Sequence, residues 1–283
     1  MIKNPLRDDY NQDTLNIEIK LLLEAIYLSY GYDFRNYSKA HIKRRILHRL
    51  SMSGLRSVSE MQYKVLHDKD FLQILLGDFS INVTEMFRDP EFYQALRHDV
   101  VPLLKTYPRI KVWHAGCATG EEVYSMAILL KEEGLYDRTQ FYATDFNRQV
   151  LKTARRGEYS IDNIREYIKN YQRSGGKGSL SDFYDVGHET VKFHDSLKKN
   201  IVFAEHNLVT DSAFAEMNLI VCRNVLIYFD RELQRKVIGL FYQSLIHGGL
   251  IAIGNKETLE YSGYRHLFDN VNYEQRIYFK KYV

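Results

Sequence analysis

The sequence is poor in several features that would each steer its reading. Two cysteines in 283 residues are too few for a disulfide framework, which fits a reducing, cytoplasmic setting. No apolar run approaches the ~18 residues that a membrane span needs. The opening residues, MIKNPLRDDYNQD, contain no apolar signal core, so no secretory leader is expected. Histidines such as His114 and His206 show no metal-ligand spacing, and no metal is expected. No internal repeat is visible. Hydrophobic residues at 45% and charged residues at 27% exclude a disordered chain, a collagen-like chain and a disulfide miniprotein. A domain usually takes ~100–200 residues, so the length allows one large domain or two unequal ones.

One further absence is local. Between Phe34 and Ser59 there is no acidic residue, but Arg35, Lys39, Lys43, Arg44, Arg45, Arg49 and Arg56 all occur. These seven charges, set against a net charge of +3, leave −4 for the rest of the chain. A nucleic-acid footprint would be more distributed, and no RNA-binding aromatic motif interleaves the segment.

Periodicity supplies the architecture. Residues 1–80 read as helical, with Leu15, Ile19, Leu22, Leu23 and Ile26 at helical spacing. A second helix is expected from about Ser38, as N-cap, to Ser51. It places Ile42, Ile46, Leu47 and Leu50 on one side, and His41, Arg44, Arg45, His48 and Arg49 on the other. Short helices at 58–66 and 71–76 complete a small bundle. From residue 109 strands and helices alternate: strands at 110–115, 140–144, 201–204, 219–222 and 250–253, helices near 121–134, 148–154 and 231–246, and a last strand at 273–282. That alternation predicts a mostly parallel α/β sheet. Segments 183–186, 190–193 and 201–203 follow one another without a helix, which suggests a small antiparallel insertion. SGGKGS at 174–179 reads as a flexible turn or linker, since it lacks the preceding strand and spacing of a phosphate loop.

The chemistry concentrates in KVWHAGCATGEEVYS, residues 111–125. A strand, a glycine-containing turn and a helix bring backbone close to a ligand. Two glutamates at the helix start argue against a pyrophosphate there, unless they merely complement the helix dipole. Asp145 ends the second strand, where an acid accepts ribose hydroxyls in nucleoside-binding α/β folds. Loop and acid together favour a nucleoside cofactor without phosphates, with a sulfonium cofactor suiting the acidic loop better than NAD. Cys117 and Cys222 read as small buried core residues.

The segments INVTEMFRD (81–89), GCATGEE (116–122), the strand-end Asp145, AEHNL (204–208) and CRNVLIYFD (222–230) occur in this order. Together they resemble the CheR family of chemotaxis receptor methyltransferases, over about residues 12–282. The resemblance implies a small all-α N-terminal substrate-recognition domain (1–80), a linker and leading helix (81–108), and a Rossmann-like class I methyltransferase domain (109–283). The last would carry a β-subdomain insertion at about 180–205. It implies S-adenosyl-L-methionine as cofactor, S-adenosyl-L-homocysteine as product, and glutamates on the cytoplasmic domain of chemoreceptors as acceptors. It places Asn82, Thr84, Arg88, Glu122, Asp145, Asn207, Leu208, Arg223 and Asn224 around the cofactor. Asp145 would take the ribose, Arg88 the methionine carboxylate, and Asn207 and Leu208 the adenine. Arg88 and Tyr228 would stand at the reacting centre, and Arg44, Arg45 and Arg49 would steer an acidic receptor helix. The chain departs from the family at Val123, where proline is common, and at Gly254-Asn255-Lys256-Glu257 in place of G-H-S-E. Two other readings are another acceptor, RNA or a small molecule, and a regulatory module that binds the cofactor without turnover.

Overall fold

The computed structural model describes residues 11–80 and 84–282. They form two compact units: a helical one of residues 11–80 with 227–233, and an α/β one of residues 84–226 and 234–282.

In the helical unit, α1 (Gln12–Tyr30), α2 (Lys39–Ser53), α3 (Val58–His67) and α4 (Lys69–Phe79) follow in order. Asn11 caps α1 by accepting from Asp13 N, Ser57 caps α3, and Asp68 caps α4 through Asp70 N and Phe71 N. Ser38 occupies the N-cap position of α2 without a side-chain cap bond. Leu22, Ile26, Ile42, Ile46, Leu50, Met61, Val65 and Leu75 are buried between the helices. Phe34 packs edge-on against Tyr37 and Phe79. The returning segment joins this unit at Tyr37, which bridges Phe229, and Ser38 N donates to the Tyr228 carbonyl at 2.8 Å.

The α/β unit begins with α5 (Pro90–Ala95), which runs through a π turn at Leu96–Val100 into α6 (Val101–Leu104). Strands and helices then alternate as β1 (Ile110–Ala115), α7 (Glu121–Glu132), β2 (Thr139–Asp145) and α8 (Arg148–Arg156). After them come β3 (Glu158–Ser160), α9 (Ile164–Arg173), β4 (Tyr184–Val186), β5 (Thr190–Phe193) and β6 (Ile201–Glu205). The chain closes with β7 (Met217–Cys222), α10 (Arg231–Ser244), β8 (Leu245–Ile253), β9 (Phe268–Asn272) and β10 (Ile277–Lys280). The main sheet has the order β6-β2-β1-β7-β8-β10-β9. Its first five strands are parallel, and β10 and β9 are antiparallel additions. Every residue of β7 is buried, as a strand covered on both faces requires. Trp113, the only tryptophan, is buried in β1; its Nε1 donates to Thr144 Oγ1 at 2.8 Å, and its ring meets Phe241 edge-on.

Four expectations change. Residues 201–203 do not belong to the insertion: β6 is the parallel edge strand beside β2, and the small sheet β3-β5-β4 recruits Glu158–Ser160 instead. The strand expected at 273–282 shortens to β10, residues 273–276 forming the turn of its hairpin with β9. The helix expected to reach 246 stops at Ser244, because Leu245 already pairs with Met217 of β7. SGGKGS is held rather than free. Lys177 N donates to Glu132 at 3.0 Å, Lys177 Nζ pairs with Glu133 at 2.8 Å, and Gly178 N donates to the Tyr171 hydroxyl at 3.0 Å. A Cβ at Gly176 would lie 2.3 Å from the Tyr171 ring, so only glycine permits that approach.

Candidate active site

In the main sheet the strand order reverses between β1 and β7, and the loops after these strands flank a crevice at their carboxyl ends, the usual ligand position in such sheets. The two loops touch: a Cβ at Gly116, which has φ 81°, would lie 2.5 Å from Val225 Cγ2. Asn224 and Ala118 also adopt positive φ, 61° and 47°, backbone strain that clusters at such sites.

Asp145 ends β2 and is buried. Its Oδ2 accepts from Ala118 N at 3.0 Å and its Oδ1 from Asn147 N at 2.9 Å. With backbone donors from Ala118, Asn147 and Phe146 on about four acceptor sites, the carboxylate keeps room for one more donor. Burial raises its pKa to about 6, against the three backbone N–H groups that favour the anion. A buried carboxylate with remaining acceptor capacity suits a ribose hydroxyl.

The two glutamates of α7 are not presented to a ligand as a pair of open anions, contrary to the sequence argument. Glu121 is buried, with Oε2 accepting from Thr119 Oγ1 at 2.6 Å and Tyr167 Oη at 3.5 Å from Oε1. Burial lifts its pKa to about 7. Glu122 meets His114 Nδ1 at 3.0 Å and Arg223 Nη1 at 3.5 Å. Burial opposes its ionisation, but the His114 hydrogen bond and the Arg223 charge outweigh that, and its pKa falls below the usual value.

Arg223, just past β7, is enclosed. Nη2 pairs with Asp89 at 2.5 Å, Nη1 reaches the Arg88 carbonyl at 3.4 Å, and the guanidinium lies 4.0 Å over the Phe92 ring. Its Nε is buried without a hydrogen-bond partner. Glu122 and Arg223 are thus brought together as an internal network with His114 and Asp89. Thr84 and Arg88 are half-buried in the segment leading to α5. Asn82 lies outside the described residues. Asn207 turns the chain after β6 by accepting from Val209 N at 3.0 Å, and Leu208 beside it is buried. Cys117 and Cys222 are buried free thiols whose pKa values burial pushes up.

Sequence reasoning missed three contributors. Glu257 is buried and accepts from Gly254 N, Asn224 N and Val225 N at 2.5, 3.2 and 2.9 Å, so it shapes the loop after β7. The departure from G-H-S-E therefore keeps the one residue that holds this turn. Asp89 and His114 stood inside the quoted motifs, where adjacency to Arg88 and to the strand end was the available signal. Among the described residues no group of three or more His, Cys, Asp or Glu could hold a metal.

In the helical unit, Arg44 is exposed, Arg45 is half-buried with Nε unpartnered, and Arg49 is bound to Asp78 by two contacts of 2.5 and 2.7 Å. The three expected arginines do not form one open patch, because Asp78 of α4 claims Arg49. Tyr228 meets the His41 ring edge-on at 5.2 Å.

"CheR methyltransferase, SAM binding domain" matches residues 82–277, and "CheR methyltransferase, all-alpha domain" matches residues 17–80. A Pseudomonas putida protein named "Putative methyltransferase Cher3" is 51% identical over 94% of this chain and 97% of its own length. A "Chemotaxis protein methyltransferase" of Listeria innocua is 32% identical over 81% of this chain and 85% of its own. Among solved structures, the N-methyltransferase NodS of Bradyrhizobium japonicum is 14% identical with a TM-score of 0.38, covering 70% of this chain and 89% of its own, a likeness that carries no argument. With both domain types matched in order along nearly its whole length, the chain belongs to the CheR methyltransferase family, and S-adenosylmethionine is its cofactor.

Proposed function

We propose that this methyltransferase esterifies glutamate side chains on the cytoplasmic helices of chemoreceptors, acting in the cytoplasm. The observation that carries the reading is the family match across both domains, joined by relatives whose names specify chemotaxis. S-adenosylmethionine, when bound, supplies an activated methyl group on a sulfonium. Free glutamate has a pKa near ~4.3, so the acceptor is already ionised at neutral pH and no general base is needed. Catalysis then reduces to holding carboxylate and methyl in line and excluding water. On this reading Asp145 holds the ribose, Arg88 the methionine carboxylate, and Asn82, Thr84, Asn207, Leu208 and Asn224 complete the cofactor's surroundings. Glu122 and Arg223 serve as a buried charged wall behind it. Tyr228 orients the acceptor, and the exposed Arg44, with Arg45 beside it, attracts an acidic receptor helix.

The test is incubation of the protein with methyl-labelled S-adenosylmethionine and a receptor cytoplasmic fragment, followed by base treatment. Volatile labelled methanol is expected. Label that stays on the fragment after base, or no transfer at all, overturns the ester.

A further inference from the structure

The cofactor loop is gripped from outside the main sheet. Gly120, at φ 97°, sits where the backbone has little steric preference of its own. The peptide plane that joins it to Thr119 is rigid, so a bond to the Thr119 carbonyl orients the Gly120 N–H as well. That N–H donates to the Cys117 carbonyl at 3.0 Å, closing the turn. The Thr119 carbonyl in turn accepts from the Tyr159 hydroxyl at 2.8 Å. Tyr159 is the central residue of β3, opposite Val191 in the small antiparallel sheet. Its buried ring is wedged edge-on among Tyr124, Phe193 and Tyr167. One residue before Thr119, Ala118 N is the donor that fixes Asp145.

We propose that Tyr159 is a positioning residue for the cofactor, through which the small antiparallel sheet sets the conformation of the glycine-containing loop and hence the affinity for S-adenosylmethionine. The sheet thereby acts on the cofactor site without touching the cofactor. A loop held in its binding conformation spares the ligand the cost of ordering it. Without the hydroxyl, the turn at 117–120 samples other arrangements, and part of the binding free energy goes to collecting them.

Tyr159→Phe removes the hydroxyl and keeps the ring. Titration calorimetry with S-adenosylhomocysteine should show Kd raised about fivefold, the loss of one net hydrogen bond. Amide exchange in residues 116–120 should quicken while that of β1 stays unchanged. Val191→Ala loosens the sheet under Tyr159 without reaching the loop. It should weaken binding in the same direction, and its effect should largely vanish in the Tyr159→Phe background. His188→Ala serves as the control, because His188 lines the same polar cleft of about 770 Å3 as Tyr159; it should leave Kd unchanged. A Tyr159→Phe protein with Kd within twofold of the parent overturns the proposal. So does a Val191→Ala protein that melts earlier with unaltered Kd, or a His188→Ala protein weakened as much as Tyr159→Phe.

Discussion

Two helices carry the charges that the sequence singles out, and they dispose of them in opposite ways. α7 opens with Glu121 and Glu122, both drawn inward: one onto Thr119 and Tyr167, the other onto His114 and Arg223. α2 carries Arg44, Arg45 and Arg49, of which Arg44 remains exposed and Arg49 alone is claimed by a carboxylate among the described residues, Asp78. A charge withdrawn from water needs partners close by, whereas an exposed one costs nothing to leave unpaired. The glutamates therefore stay within the fold, and Arg44 stays at the surface.

The sharpest way to break this contrast is to remove a partner from the inner network. Arg223→Met leaves Glu122 and Asp89 facing each other without their cation, and urea unfolding at pH 7 should show a loss of about 4 kcal/mol. Next comes Glu121. The folded protein holds its proton up to about pH 7, while the unfolded chain releases it near ~4.3. Stability should thus fall as pH rises across that window and level off above it. Glu121→Gln keeps the neutral form, so it should gain about 3 kcal/mol over the parent at pH 8 and almost nothing near pH 4. Thermal or urea melts across pH test the sign directly; a gain that shrinks with rising pH would contradict it.

The outer charges should respond differently. Arg44→Glu is expected to raise KM for a receptor fragment about tenfold, with the Kd for S-adenosylhomocysteine unchanged and the KM effect fading at high salt. The smallest effect separates the arginines of α2 from one another. Arg49→Ala should cost about 1 kcal/mol through its lost contact with Asp78, while Arg44→Ala stays within about 0.5 kcal/mol.

Much of the architecture was legible because burial leaves a pattern. β1 is found at its full length, Ile110–Ala115, from its apolar run, and α7 from the residues that follow the glycine turn. β9 was not legible: FDNVN carries three residues that strands disfavour, and it exists because β10 offers it a partner. β3 is three residues long, too short for any periodicity, although Tyr159 lies on it. At the site, the strand-end position of Asp145 could be read from spacing. The enclosure of Glu122 by Arg223 could not, because the partners stand 101 positions apart in the chain and only the sheet brings them together. Arg49 failed for the same reason: a helical wheel shows which way a side chain points, not that Asp78 on another helix awaits it.

Trp113 gives the division into two units an experimental handle. It is the only tryptophan, and it lies in β1. Its selectively excited fluorescence therefore reports on the α/β unit alone, whereas far-ultraviolet circular dichroism registers helices in both units. Followed in one denaturant series, the two signals form a pair of independent clocks: coincident midpoints mean a single cooperative transition, and separated midpoints mean that each unit melts on its own terms.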